Sequence, residues 1–328
     1  MCKISTNELY MRRCLELASY GRENAKPNPM VGAVIVHDGR IIGEGYHVRC
    51  GEGHAEVNAF ASVKACDEHL LKDSTMYVSL EPCSHYGKTP PCCELIIKKG
   101  VRHVVVGCVD PFAKVSGRGI ERMREAGIDV EVGVLEKECL ELNRKFITFN
   151  TEHRPYIILK WCQTANGFLD DNCHATMLSN GFTKMLSHKL RAENDAILVG
   201  RTTAERDCCK LNVRDWYGKD PMRIVLDASK PCFDTIDFSM PVLPQLMNEL
   251  YTRKVQSLIV EGGAVTHRSF LDSGLWDEIR IETAPRCVSG GTKAPVLPDN
   301  VILKKQRIYG GNIIRWYRKA EKEGIKED

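Results

Sequence analysis

The sequence lacks a strong charge of either sign and is poor in aromatic residues. Its 328 residues carry a formal net charge of only +3, and Lys and Arg are interleaved with Asp and Glu. A nucleic-acid backbone needs a basic stripe, and single strands need aromatic platforms for their bases, yet Phe, Trp and Tyr make up only 7% of the chain. We therefore expect no nucleic-acid partner.

Long apolar runs and repeats are also missing. No stretch approaches the roughly 20 apolar residues of a membrane span, and the first residues contain no apolar core of signal-peptide length. We expect a cytoplasmic protein with no membrane partner. In a reducing cytosol, most of the 15 cysteines would be free thiols.

Helix and strand patterns alternate along both halves of the chain, which favours an α/β fold. The length suits two domains of roughly 150 residues each, and we predict them at 1–149 and 150–328. In the first half, Val31–Val36 and Arg40–Tyr46 flank Asp38-Gly39, a two-residue hairpin signal. The strands predicted in the second half are Tyr156–Trp161, Ala196–Val199, Arg223–Leu226, Ser257–Val260 and Glu278–Glu282.

The most informative motif is His54-Ala-Glu56, followed by Pro-Cys83 and then Cys92. One imidazole and two thiolates leave the fourth position of a tetrahedral zinc ion open to water, which is typical of a catalytic site. The Glu56 carboxylate is then available to move protons, and this combination is the signature of zinc deaminases. We predict His54, Cys83 and Cys92 as zinc ligands and Glu56 as the general acid/base.

A fourth protein ligand would change this interpretation. Cys93 or His85 could complete a closed structural site, and the chain would then be a zinc-stabilised binding protein; unliganded core cysteines are a further alternative. Cys93 directly follows Cys92 at a predicted helix start, where neighbouring side chains point in different directions, so three ligands are favoured. The Cys-x8-Cys spacing differs from the Pro-Cys-x-x-Cys of nucleic-acid deaminases and indicates another branch.

A glycine turn follows a buried-type strand in the second half. In Glu261-Gly262-Gly263, the missing side chains would let the backbone approach a ligand phosphate. Alone, this signal more often marks a tight turn.

These motifs sit in segments that resemble the bifunctional riboflavin biosynthesis deaminase–reductase family. The likeness covers nearly the whole chain and is most specific in Lys26–Val36, Gly53–Val57 and Pro82–Cys92. Further matching segments are Asp110-Pro111, Val115–Gly119, Leu190–Ala192, Ala196–Gly200 and Val260–Gly263.

The resemblance implies a cytidine-deaminase-like three-layer domain followed by a dihydrofolate-reductase-like α/β domain. The first would use zinc to deaminate the diaminopyrimidinone ribosylamino 5′-phosphate formed early in riboflavin synthesis. The second would use NADPH to reduce the ribosyl group to a ribityl chain. The family also implies a homodimer or a higher homo-oligomer.

Matching positions imply the remaining site residues. The deaminase substrate would contact Asn28, His47, His85 and Lys88. Lys88 offers a positive charge for phosphate, and imidazole and amide groups can form hydrogen bonds with the polar edge of a pyrimidine. The reductase residues that the resemblance implies are Lys160, Arg191, Asp207, Arg214 and Glu261 for the substrate, and Thr164, Gly200, Gly262 and Gly263 for NADPH.

The second half also departs from the family pattern. Asn166 replaces the Asp of a Ser-x-Asp-Gly motif, and the residues after Asp207 lack the family's proline. The segment after Asp227 is too short for a further strand before the helix near Val242, which would expose a sheet edge and deform the cofactor crevice. Two hypotheses therefore stand: a working reductase, or a degenerate domain that only binds ligand or stabilises a dimer.

Overall fold

The computed structural model describes residues 5–86, 90–111, 117–207 and 209–320. The chain forms two compact units, Met1–Glu152 and His153–Asp328. In the part of the chain that is described, no helix combines the length and apolar character needed to cross a membrane.

The first unit is built on a five-stranded sheet. In spatial order its strands are β2 (Arg40–Tyr46), β1 (Gly32–His37), β3 (Thr75–Val78), β4 (His103–Val106) and β5 (Asp129–Val132). Strand β1 is antiparallel to β2 and β3, whereas β3, β4 and β5 are parallel. Because βαβ crossovers place helices over the faces of such a sheet, both faces need to be apolar.

The predicted hairpin between β1 and β2 is present. Asp38 and Gly39 both have positive φ, 46° and 77°, as a two-residue turn matched to strand twist requires.

Helices cover both faces of this sheet. Alternate residues of β1 enter two separate hydrophobic clusters: Ala33 and Ile35 on one side, Val34 and Val36 on the other. The helices of the unit are α1 (Thr6–Ser19), α2 (Ala55–Ala61), a 3₁₀ helix (Ala65–Asp73), α3 (Cys92–Lys99), α4 (Arg118–Glu125), α5 (Glu136–Leu142) and α6 (Arg144–Glu152). The first unit is therefore a three-layer α/β/α structure.

The second unit contains a seven-stranded sheet. In spatial order the strands are β11 (Val301–Tyr309), β12 (Asn312–Lys319), β10 (Glu278–Thr283), β6 (Tyr156–Gln163), β9 (Ser257–Val260), β7 (Ala196–Gly200) and β8 (Met222–Leu226). Strands β10, β6, β9, β7 and β8 are parallel, so their carboxyl ends share one edge. The helices are α7 (Gly181–Ala192), α8 (Arg201–Asp207), α9 (Val242–Thr252) and α10 (Ala264–Asp272).

One side of this sheet ends at β8. Residues 227–241, all of them described, contain no strand between β8 and α9. The parallel part of the sheet therefore stops at β8, beside the crevice where α/β folds bind ligands.

Helix α1 lies directly on β1 at a glycine. A Cβ added to Gly32 would lie 2.0 Å from the Cys14 carbonyl oxygen and 2.8 Å from the Ala18 nitrogen. The added methyl group would overlap backbone atoms of α1, which can shift only if the helix itself moves. We therefore expect Gly32→Ala to lower the free energy of unfolding by about 3 kcal/mol or more.

Urea-induced unfolding measures this change. Gly181→Ala is the control, because no atom lies within 4 Å of its added Cβ and its φ is ordinary. An unchanged urea midpoint for Gly32→Ala would show that α1 does not pack as described.

Candidate active sites

Three separate segments of the first unit bring the predicted zinc ligands together. His54 is the residue before the first turn of α2, Cys83 follows β3, and Cys92 opens α3. The His54 Nδ1 atom lies 3.5 Å from Cys83 Sγ and 3.4 Å from Cys92 Sγ. Ligands of one tetrahedral zinc ion are about 3.6 Å apart, because zinc–nitrogen and zinc–sulfur bonds measure about 2.1 and 2.3 Å. These donors fit zinc in chemistry and spacing.

Neither candidate for a fourth ligand joins this group. The donor atoms of His54, Cys83 and Cys92 all lie within 4.8 Å of one another, and Cys93 and His85 are not part of the cluster. Among the described residues the donor set therefore has three protein members, which leaves a tetrahedral position open.

The two thiols differ in acidity. Contact with the Cys92 thiol, reinforced by His54 and by the Cys92 backbone N–H at 3.3 Å, lowers the pKa of Cys83. The Cys83 sulfur is therefore the first to become a thiolate, the form that binds metal.

Glu56 faces this cluster from the first turn of α2. Only 3% of the residue is exposed. Burial, followed by the charge of Cys83, raises the pKa of Glu56 to about 7. A bound dication would oppose this shift, because it favours the charged carboxylate. Glu56 is thus a shielded carboxyl group beside the three zinc ligands.

His47 and Asn28 form a defined pair beside the zinc ligands. The Nδ1 atom of His47 lies 3.1 Å from the Gly53 carbonyl oxygen, which can only accept, so Nδ1 carries the proton. Its Nε2 atom then accepts a hydrogen bond from the Asn28 amide at 3.1 Å. Burial lowers the pKa of His47, which favours this neutral form. The rings of His47 and His54 meet edge to face, with centroids 5.3 Å apart.

Asn143, which the sequence analysis did not identify, forms hydrogen bonds with the loop that contains Asn28. Asn143, which is 3% exposed, accepts a hydrogen bond from the Met30 N–H at 2.8 Å and donates one to its carbonyl at 2.9 Å. The two residues are 113 positions apart, so no local pattern connects them. Asn143 fixes the backbone two residues after Asn28.

The other two deaminase candidates are placed differently. His85 is exposed on the loop after Cys83. Lys88 lies outside the described residues.

The second unit has a cavity of about 1090 Å³ at the carboxyl edge of its parallel strands. Side chains and backbone from the ends of β6, β7, β8 and β9 border it. Of the predicted reductase residues, those that line the cavity are Lys160, Gly200, Asp207, Glu261 and Gly263. Ligands of open α/β sheets bind at this edge.

A buried charge cluster lies at this cavity. Arg191 Nη2 approaches Glu261 Oε2 at 2.6 Å, and Lys160 Nζ lies 3.9 Å from Oε1. Burial alone would raise the pKa of Glu261, but the charges of Lys160 and Arg191 outweigh it and lower the pKa to about 2. Glu261 is therefore ionised at neutral pH, and the cluster carries an excess of positive charge.

The glycine turn after β9 brings the start of α10 to the cavity. A Cβ at Gly262 would lie 2.8 Å from the Val199 Cβ, so this glycine permits close packing against β7. Gly263 has a φ of +71° and precedes α10 without capping it through a side chain. Residues 263–267 line the cavity. A helix start that is preceded by glycine can present its first N–H groups to an anion.

Two reductase candidates contact their own loops instead. The hydroxyl of the fully buried Thr164 donates to Asn166 Oδ1 at 2.9 Å and accepts from the Phe168 N–H. The exposed Arg214 donates to Asn212 Oδ1 at 3.0 Å. Neither is among the residues that line the cavity.

Known proteins match the chain along most of its length. Residues 4–108 match the cytidine and deoxycytidylate deaminase zinc-binding region, and residues 155–313 match the RibD C-terminal domain. The riboflavin biosynthesis protein RibD of Aquifex aeolicus is 38% identical over 316 residues, which span 86% of this chain and 88% of that protein. The chain belongs to the RibD family. RibD of Escherichia coli is 34% identical over 343 residues, 88% of this chain and 90% of its own.

Solved RibD structures share this fold. The deaminase/reductase of Thermotoga maritima has a TM-score of 0.85 at 32% identity, and covers 96% of this chain and 99% of its own. RibD of Acinetobacter baumannii also has a TM-score of 0.85, at 28% identity, and covers 97% and 100%. The family resemblance and the two-domain α/β fold class are therefore confirmed, and with them the zinc-binding region and the reductase domain.

Adjacent cysteines allow a direct test of the ligand set. We expect Cys92→Ser to lose tight zinc binding, with an affinity loss beyond the roughly 10–100-fold typical of changes next to ligands. Cys93→Ser is the matched control and should bind zinc as the unmodified protein does. Metal competition with a chromophoric chelator measures both, and equal losses in the two variants would contradict a three-ligand site.

The charge cluster predicts a pH-dependent stability. The pKa of Glu261 in the folded chain, about 2, lies below its ordinary 4.5, so ionised Glu261 stabilises the fold above pH 4.5 and this contribution is lost as pH falls towards 2. We expect Glu261→Gln to lower the free energy of unfolding by about 3 kcal/mol at pH 7, and by progressively less below pH 4.5.

Denaturant titrations at pH 7, 4 and 3 measure this difference. Glu205→Gln is the control, because Glu205 forms an exposed ion pair with Arg201 at 3.9 Å and should change stability little. A Glu261→Gln effect that stays constant with pH would refute the assignment.

Proposed function

We propose that this chain is a bifunctional enzyme of riboflavin biosynthesis. Its first unit deaminates 2,5-diamino-6-ribosylamino-4(3H)-pyrimidinone 5′-phosphate by hydrolysis, and its second unit reduces the ribosyl group to a ribityl chain with NADPH. The observation that carries the proposal is the His54, Cys83 and Cys92 cluster with the buried carboxyl of Glu56 beside it. Membership of the RibD family supplies the substrate and the second reaction.

Glu56 carries the protons in the deamination. Zinc, when bound by His54, Cys83 and Cys92, lowers the pKa of a water molecule to about 7 and so makes a nucleophile available at neutral pH. Glu56 accepts a proton from that water and passes it to the ring nitrogen. It then takes up the second proton of the former water and delivers it to the amino group, which leaves as ammonia. Its burial excludes bulk water from this transfer.

The other deaminase residues bind and orient the substrate. With its amide nitrogen donating to His47, Asn28 keeps its carbonyl oxygen as an acceptor for a pyrimidine N–H. His85 and Lys88 are proposed from the family pattern, and the ammonium group of Lys88 is proposed to bind the phosphate.

In the second unit the cavity holds substrate and NADPH together. NADPH supplies the hydride when bound. The N–H groups at the start of α10 receive its phosphates, and Gly200 and Gly263, which line the cavity, allow the close backbone approach. Gly262 is proposed from the family pattern. Lys160 and Arg191, held by Glu261, offer positive charge to the substrate.

Three further reductase residues complete the proposal. Asp207 lines the cavity and is proposed to contact the substrate. Arg214 and Thr164 are proposed from the family pattern, and Thr164 acts through the turn that it stabilises.

The expected homodimer or higher homo-oligomer and the cytoplasmic location stay predictions.

The purified protein should convert the diaminopyrimidinone ribosylamino phosphate in two separable steps. Without NADPH, mass spectrometry should show one amine exchanged for oxygen; with NADPH, a further gain of two hydrogens. We expect Glu56→Gln to keep its zinc but to lose at least about 100-fold in deamination rate, in line with the loss of a general acid/base. It should still reduce the deaminated compound.

The outcomes separate the two hypotheses for the second unit. A product that stops at the deaminated ribosyl compound would show that the domain with the short segment after β8 no longer reduces. Near-normal deamination by Glu56→Gln would contradict the role of this carboxyl group.

A further inference from the structure

Glu81 is a buried carboxylate that the proposed chemistry does not use. It lies two residues before the zinc ligand Cys83, at the end of the segment that follows β3, and is only 4% exposed. Its two oxygens accept hydrogen bonds from four backbone N–H groups. The donors are Asp110 at 3.2 Å, Gly117 at 2.9 Å, Gly119 at 2.8 Å and Ile120 at 3.4 Å.

The donors belong to the start of α4 and to the segment that leads into it. Gly117, which precedes α4, has a φ of +78° and does not cap the helix through a side chain. The first N–H groups of a helix have no partners inside it, and a negative charge there is favourable. Glu81 therefore caps α4 from a distant part of the chain.

Glycine lets this helix start reach the backbone beside the zinc ligand. A Cβ at Gly119 would lie 2.1 Å from the Pro82 carbonyl oxygen and 3.2 Å from Glu81 Oε1. The Pro82 carbonyl belongs to the peptide unit that joins Pro82 to Cys83. The beginning of α4 is thus packed directly against the backbone that carries Cys83.

The backbone of Glu81 makes a further connection. Its N–H donates to the Cys108 carbonyl at 3.0 Å, just after β4. Glu81 therefore ties together the Cys83 segment, the turn after β4 and the start of α4. Only the Pro82 residue separates this junction from Cys83.

We propose that Glu81 is a positioning residue of the zinc site. Its carboxylate fixes the Pro82–Cys83 backbone against α4, and this places the Cys83 sulfur at zinc-binding distance from His54 and Cys92. The inference rests on the proposed zinc site and extends it to a residue that does not touch the metal.

The chemistry of the donors explains why a carboxylate is required. The two oxygens of a carboxylate can accept four N–H groups, whereas the amide of glutamine has one acceptor oxygen and an NH₂ group that faces further donors. Glu81→Gln keeps the shape of the side chain but leaves part of this buried set of N–H groups without an acceptor, so the segment should shift.

The test compares Glu81→Gln with Glu94→Gln in the full-length protein. Glu94 of α3 also contacts α4, through an exposed ion pair with Arg122 at 2.7 Å, and lies outside the site. We measure zinc affinity by chelator competition and record the absorption of the Co²⁺-substituted proteins, which reports thiolate geometry. Deaminase kcat and KM, and reduction of the deaminated compound, are measured on the same samples.

We expect Glu81→Gln to weaken zinc binding about 10–100-fold, as loss of a residue that orients a ligand typically does. Its Co²⁺ spectrum should shift and its deaminase kcat should fall more than its KM rises, with the reductase unchanged. Glu94→Gln should match the unmodified protein in every measurement. Unmodified zinc affinity and Co²⁺ spectrum in Glu81→Gln would overturn the proposal.

If Glu81→Gln does not fold, Glu81→Asp replaces it. This variant keeps the charge but is one methylene shorter, so it cannot reach all four donors. Weaker zinc binding with a shifted Co²⁺ spectrum supports the proposal, and unmodified values overturn it. The metal measurements need no substrate, so a failure of the unmodified protein to deaminate counts against the proposed function and leaves the role of Glu81 to be judged separately.

Discussion

The close approach of three donor atoms from three chain segments is the constraint on which the first unit depends. His54, Cys83 and Cys92 must stand within 4.8 Å of one another, although none is a sequence neighbour of another. Parallel β3 and β4 bring the helix starts and the loop after β3 to one end of the sheet, and backbone hydrogen bonds to buried side chains then hold the loops. The precision of this site comes from the junctions between elements and not from the elements alone.

In the second unit, ion pairs position the side chains of the candidate site. Its cavity lies where parallel strands end, and one buried carboxylate, Glu261, lies at the cavity wall and forms ion pairs with Lys160 and Arg191. Such a cluster can bind an anionic ligand without large rearrangement, because the cations are already desolvated and aligned. The first unit instead uses soft ligands for a metal and a single shielded carboxyl group. One chain thus combines two kinds of preorganised site.

Much of this arrangement could be predicted from local sequence. The elements and residues that could not be predicted have a common feature, which is that they carry no local sequence pattern. The Asp38-Gly39 hairpin and the five parallel strands of the second unit show strong local patterns, because their side chains are buried on defined faces. The β11–β12 hairpin and α8 gave no such signal, since β11 is almost entirely exposed and α8 buries no residue. Glu81 and Asn143 escaped notice because their partners lie far away in sequence, up to 113 positions for Asn143.

The two hydrophobic clusters of the first unit lie on the two sides of one sheet, and the clusters of the second unit share no residue with them. Each unit therefore has a hydrophobic core of its own. Zinc can stabilise the fold only through its ligands, and all three predicted ligands belong to the first unit. The supply of zinc in the cell therefore affects the stability of the first unit. We expect a chain that loses its metal to lose deamination first, because none of the zinc ligands belongs to the second unit.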